Sequence, residues 1–259
     1  MVEFLDRAWR ALATGFCFLV FGLGELLLAF TVFPMLLIFV RDEAERGRLA
    51  KLVVHHSFRS FVELMRLSGT LDYNVRHLER LDRPGLLVLA NHPTLIDVVF
   101  LISFIRRADC IVKGALLKNP FTRYAILAGG FIRNTEGEAL VESCGRSMAS
   151  GNALIIFPEG TRSDPGGMRE LQRGAAHIAV RNGRDITPVV IRAGNHNLGR
   201  QSSWWTSPKK RVRIEFDVEE DIPVAPFLER EAEPSAAARE LTRHLKDYFL
   251  EKLDNHGTS

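Results

Sequence analysis

The sequence predicts an α/β fold, a layered, mixed and largely parallel sheet flanked by helices, preceded by an N-terminal membrane-associated helical segment. Three observations carry that prediction. From Leu86 onward, short apolar runs alternate with longer stretches of helical periodicity, as expected of strands covered on both faces by crossover helices. Two of those runs stop abruptly at polar turns, LLVLANHPTLID over residues 86–97 and LIIFPEGTRS over residues 154–163, and in such sheets ligands sit beyond the carboxyl ends of the strands. Upstream, residues 11–40 contain a single charged side chain, Glu25.

The totals agree with a folded core. The chain has 259 residues, of which 46% are hydrophobic and 25% charged, so it can bury a full core and is not a disordered chain. A net charge of +3 falls short of a nucleic-acid-binding signature, and no nucleic-acid partner is expected. Cys17, Cys110 and Cys144 are widely spaced and lack any C-x-x-C pairing, which points to neither a disulfide framework nor a zinc site. A reducing, cytosol-facing compartment follows.

Taken in order, residues 11–40 are flanked by Arg7 and Arg10 on one side and by Arg41, Arg46, Arg48 and Lys51 on the other. The run is too long for one upright crossing of a bilayer core of about 30 Å and too short for two. Glu25, with Gly22 and Gly24 beside it, is expected to divide it into two halves. The segment then reads as a shallow hairpin in one leaflet or as one tilted span with a costly carboxylate. Residues 42–68 mix charges with apolar positions at helical spacing and read as an amphipathic helix, with the adjacent His55 and His56 facing different sides. The expected division is therefore a membrane-associated region over 1–68 and an α/β domain over 69–259.

Strands are predicted at 71–78, 86–90, 110–113, 154–157, 187–192 and 212–218, and helices at 96–106, 116–128, 137–150 and 170–182. Residues 195–211 hold Trp204 and Trp205 followed by Lys209, Lys210 and Arg211, a composition suited to a lipid headgroup boundary or to an ordinary long loop. Over residues 234–253, Leu241, Leu245, Phe249 and Leu253 recur every fourth residue, with Ser235 in position to cap a packing helix.

The first turn has two physical readings. An imidazole fixed at the end of a strand, His92, can be met by Asp97 from a following helix, which would orient the ring and leave its other nitrogen to take a proton from a hydroxyl. Equally, Thr94-x-x-Asp97 resembles a capping box. The second turn gathers Glu159, Gly160, Thr161 and Arg162, and a guanidinium there suits bidentate phosphate recognition. Between them, Arg133 follows a short apolar pair and offers a second phosphate contact. Motifs for a serine or cysteine nucleophile, a zinc protease or a phosphate loop are missing, so acyl transfer would run directly to a substrate hydroxyl activated by His92.

Residues 91–97 (NHPTLID), 130–133 (GFIR), 157–163 (FPEGTRS) and 187–190 (TPVV) resemble, in order and spacing, the four motif blocks of the 1-acyl-sn-glycerol-3-phosphate acyltransferase (lysophospholipid acyltransferase) family. The resemblance implies His92 as base and Asp97 as its orienting group, with Arg133, Glu159, Gly160, Thr161 and Arg162 binding the acceptor's phosphate. It implies transfer of a fatty acyl group from acyl-CoA or acyl-carrier protein to the hydroxyl of a lysophospholipid, 1-acyl-glycerol-3-phosphate foremost, at the cytoplasmic face of a membrane, with no metal or other cofactor. Thr94 stands where the family often has Ser, and Asn134-Thr135-Glu136 lacks the further basic character of members that act on glycerol phosphates. The same chemistry on an acylated amino-acid lipid or a pathway-specific acyl conjugate, and a non-catalytic lipid-binding protein, are the alternative expectations. Arg106, Arg107, Lys113, Lys118 and Arg123 cluster between the first two blocks, either as a site for an acidic carrier or as a solvated helix face.

Overall fold

In the computed structural model, which describes residues 2–134, 137–164, 167–194, 211–231 and 233–254, the apolar N-terminal stretch is helical from Val2 to Phe30 (α1) and again from Val32 to Phe39 (α2). The sequence places the division at Glu25; the structure places it at Thr31. Pro34 is the reason. It has no N–H for the carbonyl of Phe30, and its ring crowds that carbonyl, so the helix breaks in the preceding turn. Gly22 and Gly24 are accommodated inside α1, and the Glu25 carboxylate accepts a hydrogen bond of 2.5 Å from Ser57 Oγ.

Ser57 belongs to the next helix, Glu43–Leu67 (α3), which starts where the Asp42 side chain accepts from Glu45 N at 2.7 Å. This helix returns antiparallel along α1. Trp9 Nε1 donates to Ser68 O at one end, Phe18 and Phe21 pack on Phe61 in the middle, and Glu25 meets Ser57 beyond them. The hairpin is thus formed by α1 and α3, not by two halves of the apolar run. His55 is buried, with its Nδ1 2.9 Å from Ile102 O, while His56 is exposed.

Seven strands follow: Leu71–Arg76 (β1), Leu87–Ala90 (β2), Ala108–Val112 (β3), Ile132–Arg133 (β4), Ala153–Ile156 (β5), Ile186–Ala193 (β6) and Val212–Val218 (β7). They form one sheet in the order β1-β7-β6-β2-β5-β3-β4, parallel throughout except for the β6–β7 pair. The helices are Asp97–Phe104 (α4), Ala115–Lys118 (α5), Pro120–Gly129 (α6), Glu138–Ala149 (α7), Gly174–Asn182 (α8), Ala225–Arg230 (α9) and Pro234–Asp254 (α10).

Strand pleating separates two hydrophobic layers. Val88 and Ala90 of β2, with Ala153 and Ile155 of β5, face a layer containing Phe100 and Leu101 of α4 and Ala50, Val54, Phe61, Val62 and Met65 of α3. Leu87, Leu89 and Leu154 face the opposite layer, with Cys144 and Met148 of α7, Ile178 of α8 and Leu241, Leu245 and Phe249 of α10. Cover on both faces is why these strands read as unbroken apolar runs.

Several boundaries differ from the expectation for local reasons. The single helix expected over 116–128 divides before Pro120, which begins a helix readily but cannot continue one. Ser235 does not cap α10: Pro234 takes the first helical position, and the carbonyl of Glu233 accepts from the amides of Ala236 and Ala237. The two-residue β4 and the six-residue α9 are too short to show a period. Trp204, Trp205, Lys209 and Lys210 lie outside the described residues; Arg211 donates to the carbonyls of Leu71 and Arg66.

Candidate active site

Strands β2 and β5 are parallel neighbours, with Leu89 opposite Ile156, so the turns that leave their carboxyl ends emerge side by side. Side-chain amide chemistry holds the first turn. Asn91 donates through Nδ2 to Ile191 O at 2.8 Å and accepts from Ile191 N at 2.7 Å, imitating one more residue pair of the sheet. A backbone bond of 2.8 Å from Ser163 N to His92 O then ties the second turn to the first.

Glu159 completes the tie. Its Oε1 accepts from His92 N at 2.9 Å and from Ser163 Oγ at 2.8 Å, and its Oε2 accepts from Arg169 N at 2.9 Å. The residue is buried, and its carboxylate is directed at the loop that carries His92. Gly160 follows at φ +69° with its N–H bonded to Phe157 O, a conformation that costs glycine alone nothing. The Phe157 ring stacks on the His92 imidazole with centroids 4.3 Å apart, which fixes the plane of the ring.

The imidazole meets its carboxylate. His92 Nδ1 lies 2.8 Å from Asp97 Oδ2, and that same oxygen accepts from Thr94 N at 2.7 Å, while Thr94 Oγ1 donates to Oδ1. The dyad geometry forms and the capping box does not: the carboxylate also accepts from the Thr94 backbone, but that amide lies before α4, whose N-cap is Ile96 with no side-chain cap bond. Thr94 does not cap α4 with its side chain; its hydroxyl is spent on Asp97. Complete burial pushes the Asp97 carboxyl above its ordinary range, and the bonds from His92 and Thr94 oppose that rise by stabilising the anion.

A cavity of about 960 Å³ opens beside His92. Its apolar wall includes Val98, Ile111, Leu140, Val141, Ile155 and Ile178, and its polar lining includes Lys113, Arg162, Gln172, His177 and Arg181. Such a lining suits an amphiphile, offering an apolar wall to a chain and cations to an anion. Of the residues singled out in the sequence, His92, Gly160, Thr161 and Arg162 line the cavity. Asp97 stands behind His92, and Glu159 stands behind the loop. Arg133 is exposed on β4, in register with Val112, which does line the chamber.

Lys113, His177 and Arg181 were hidden from sequence reasoning as lining residues. The last two are four apart on α8 and so share a face, but nothing local says that this face meets the cavity. Arg181 also pairs with Glu138 of α7 across the chamber's edge. The basic cluster noted in the sequence is dispersed: Lys113 lines the cavity, whereas Arg107 donates to Ser150 O. Cys110 also lines the cavity, and burial pushes its thiol up to about 12, so it stays protonated near neutrality and is a poor nucleophile. Among the described residues, no group of three or more His, Cys, Asp or Glu converges as a metal-ligand set.

Residues 72–192, which enclose both turns, match the acyltransferase family model. The chain is 24% identical over 209 residues to the 1-acyl-sn-glycerol-3-phosphate acyltransferase of Pseudomonas aeruginosa, spanning 78% of this chain and 77% of that one. It is 28% identical over 163 residues to the human 1-acyl-sn-glycerol-3-phosphate acyltransferase beta, of whose length it spans 58%. In three dimensions it superposes on the 1-acyl-sn-glycerophosphate acyltransferase PlsC of Thermotoga maritima with a TM-score of 0.69, covering 99% of this chain and 98% of that one at 18% identity. At that identity the likeness speaks for the fold.

Proposed function

With the match of residues 72–192 to the acyltransferase family model as the premise, we propose that this chain transfers a fatty acyl group from a thioester, acyl-CoA or acyl-carrier protein, to the hydroxyl of 1-acyl-glycerol-3-phosphate. The observation that carries the reading is the His92–Asp97 pair at the mouth of a chamber with an apolar wall and a cationic lining.

Asp97 accepts a hydrogen bond from His92 Nδ1–H, so Nε2 presents a lone pair toward the chamber. As the acceptor hydroxyl attacks the thioester carbonyl, Nε2 takes its proton. The tetrahedral intermediate collapses with loss of thiolate, and the imidazolium returns the proton to sulfur, giving ester and free thiol. Asp97 stabilises the transient imidazolium without itself being protonated. Arg162 and Lys113, with Arg133 beside the chamber, supply cations for the acceptor's phosphate, while Gly160 and Thr161 shape the approach to it. Glu159 serves this site by holding the His92 loop.

Membrane association completes the reading. The exposed face of α1 would sit in one leaflet, with the active site toward the cytoplasm, where lysolipid and thioester meet. His92→Ala tests the chemistry: acyl transfer to 1-acyl-glycerol-3-phosphate should fall by about 10² to 10⁴ with the thermal transition unchanged. Near-normal turnover in that variant would dispose of the dyad.

A further inference from the structure

Away from the reacting groups, a buried ion pair joins α3 to the edge of the chamber. Lys51 of α3 and Asp109 of β3 are 6% and 1% exposed, with Nζ 3.4 Å from Asp109 Oδ2. Lys51 Nζ also donates to Gly129 O at 2.8 Å, at the end of α6, and lies 5.4 Å from the centre of the Phe131 ring. Gly47, one turn earlier, sits so close that a Cβ there would stand 3.4 Å from the same Gly129 carbonyl. On the other side, Asp109 accepts from Ser147 Oγ of α7 at 2.6 Å and from Cys110 N at 2.9 Å, and Asn152 Nδ2 donates to that Ser147 hydroxyl at 3.1 Å.

These contacts converge on one wall. Gly129 leads through Gly130, at φ +60°, into Arg133, and Asp109 leads through Cys110 into Val112 and Lys113. The two segments are joined by the β3–β4 register, Val112 opposite Arg133, and by Asn134 N donating to Val112 O at 2.9 Å. A buried Lys–Asp pair is a poor source of net stability, since apolar side chains of the same volume commonly do as well, but its directional bonds fix one arrangement where apolar contact permits several. A charge pair at this joint therefore calls for a positional explanation.

We propose that Lys51 and Asp109 are positioning residues that hold the β3–β4 edge, and with it Lys113 and Arg133, in register with His92. The pair thereby sets how well the chamber receives the acceptor's phosphate, and it does so from the helix that carries α1. This inference rests on the assignment of that edge to the acceptor.

The experiment compares Lys51→Met, Asp109→Asn and the double variant in the full-length protein, reading Tm and the separate KM values for 1-acyl-glycerol-3-phosphate and for acyl-CoA. Each single variant strands a buried charge and should lower Tm, whereas the double variant strands none and should regain most of it, with the Gly129 carbonyl left without its Nζ donor. The double variant should nevertheless keep a KM for the acceptor raised about tenfold, with kcat and the donor KM within about threefold of the wild type. An acceptor KM that recovers together with Tm, or kinetic constants that all fall in step with Tm, would overturn the positioning role. Should the wild type itself turn over no acyl donor, the functional reading fails separately. The pair is then judged by amide exchange over residues 110–113 and 132–134, which must quicken in the double variant more than over the central strands β2 and β5; exchange unchanged, or quickened equally everywhere, refutes the inference.

Discussion

Glu159 illustrates how a charged residue in a reactive-looking loop acquires its task from its surroundings. Both carboxylate oxygens are occupied by donors from the His92 and Arg169 backbones and the Ser163 hydroxyl, so the anion is a brace for the base. Glu159→Gln keeps the shape but sets an amide N–H₂ against at least one of those donors, at a cost of about 1–3 kcal/mol. We expect a lower Tm and a lower kcat, with the acceptor KM changed by less than about threefold. A rise in acceptor KM at constant kcat would instead make Glu159 part of the phosphate site. Asp97→Asn is the companion test at the same scale. With its oxygen in the place of Oδ2 the amide still accepts from His92 Nδ1–H and Thr94 N, and its N–H₂ faces the Thr94 hydroxyl, which can turn to accept, so the substitution removes the negative charge opposite the imidazolium and keeps the bonds. Transfer should fall by about 10² or more, and the loss should show in kcat.

At the scale of elements, β2 is held at both ends by interactions outside the sheet ladder. Gly85, in the turn before it, has φ +74°, and a Cβ there would approach Met148 O to 2.8 Å, a backbone atom that cannot swing aside. Gly85→Ala should therefore destabilise by about 2 kcal/mol, measured by urea titration. In the same turn, Arg83 grips Asp221 through two nearly parallel bonds of 2.8 and 2.9 Å, and Thr187 Oγ1 adds a third at 2.7 Å, linking the entry of β2 to the chain after β7. The hydrogen bonds from the Arg83 guanidinium hold the Asp221 carboxyl below its ordinary value of 3.8. A carboxyl depressed on folding stabilises the native state above its unfolded value, and that contribution is lost as pH falls through the folded one. Both groups are partly exposed, so the pair is worth about 1 kcal/mol at most. Arg83→Ala should cost roughly that at pH 7 and progressively less as pH is lowered below 3.8, in paired thermal denaturations.

For the molecule as a whole, the unresolved demand of the fold is the outer face of α1. Trp9, Leu12, Phe16, Leu19, Leu23, Leu27 and Phe30 recur at steps of three and four and are all more than half exposed, and Met35, Ile38 and Phe39 continue the surface on α2. Among the described residues, one stretch, Asp6–Phe39, running through α1 and α2, is long and apolar enough to cross a membrane by length and composition, and little of it is buried. The opposite flank is committed to α3 through Phe18, Phe21 and Glu25. An apolar surface of this extent marks a membrane or protein interface, and its continuity along a helix favours the bilayer. Phe16→Glu combined with Leu23→Glu should reduce sedimentation with phospholipid vesicles on the order of 100-fold and leave Tm unchanged. Undiminished vesicle binding would assign this face to a protein partner.

Much of this was legible in the chain itself, for physical reasons that are local. Apolar runs ending in polar turns report strands with a ligand-facing end, and the five-residue step from His92 to Asp97 is short enough that one turn and one helix start bring the two together. The amphipathic α3 follows likewise from the period of the pattern, whereas the flank of the apolar α1 that stays exposed does not. What the tertiary structure alone decided is which faces oppose one another. That Glu159 turns inward, that Lys113, His177 and Arg181 share a chamber with His92, and that Lys51 lies against Asp109 all depend on strand order and helix phase. Periodicity tells which residues lie together on a face; only packing tells what that face meets.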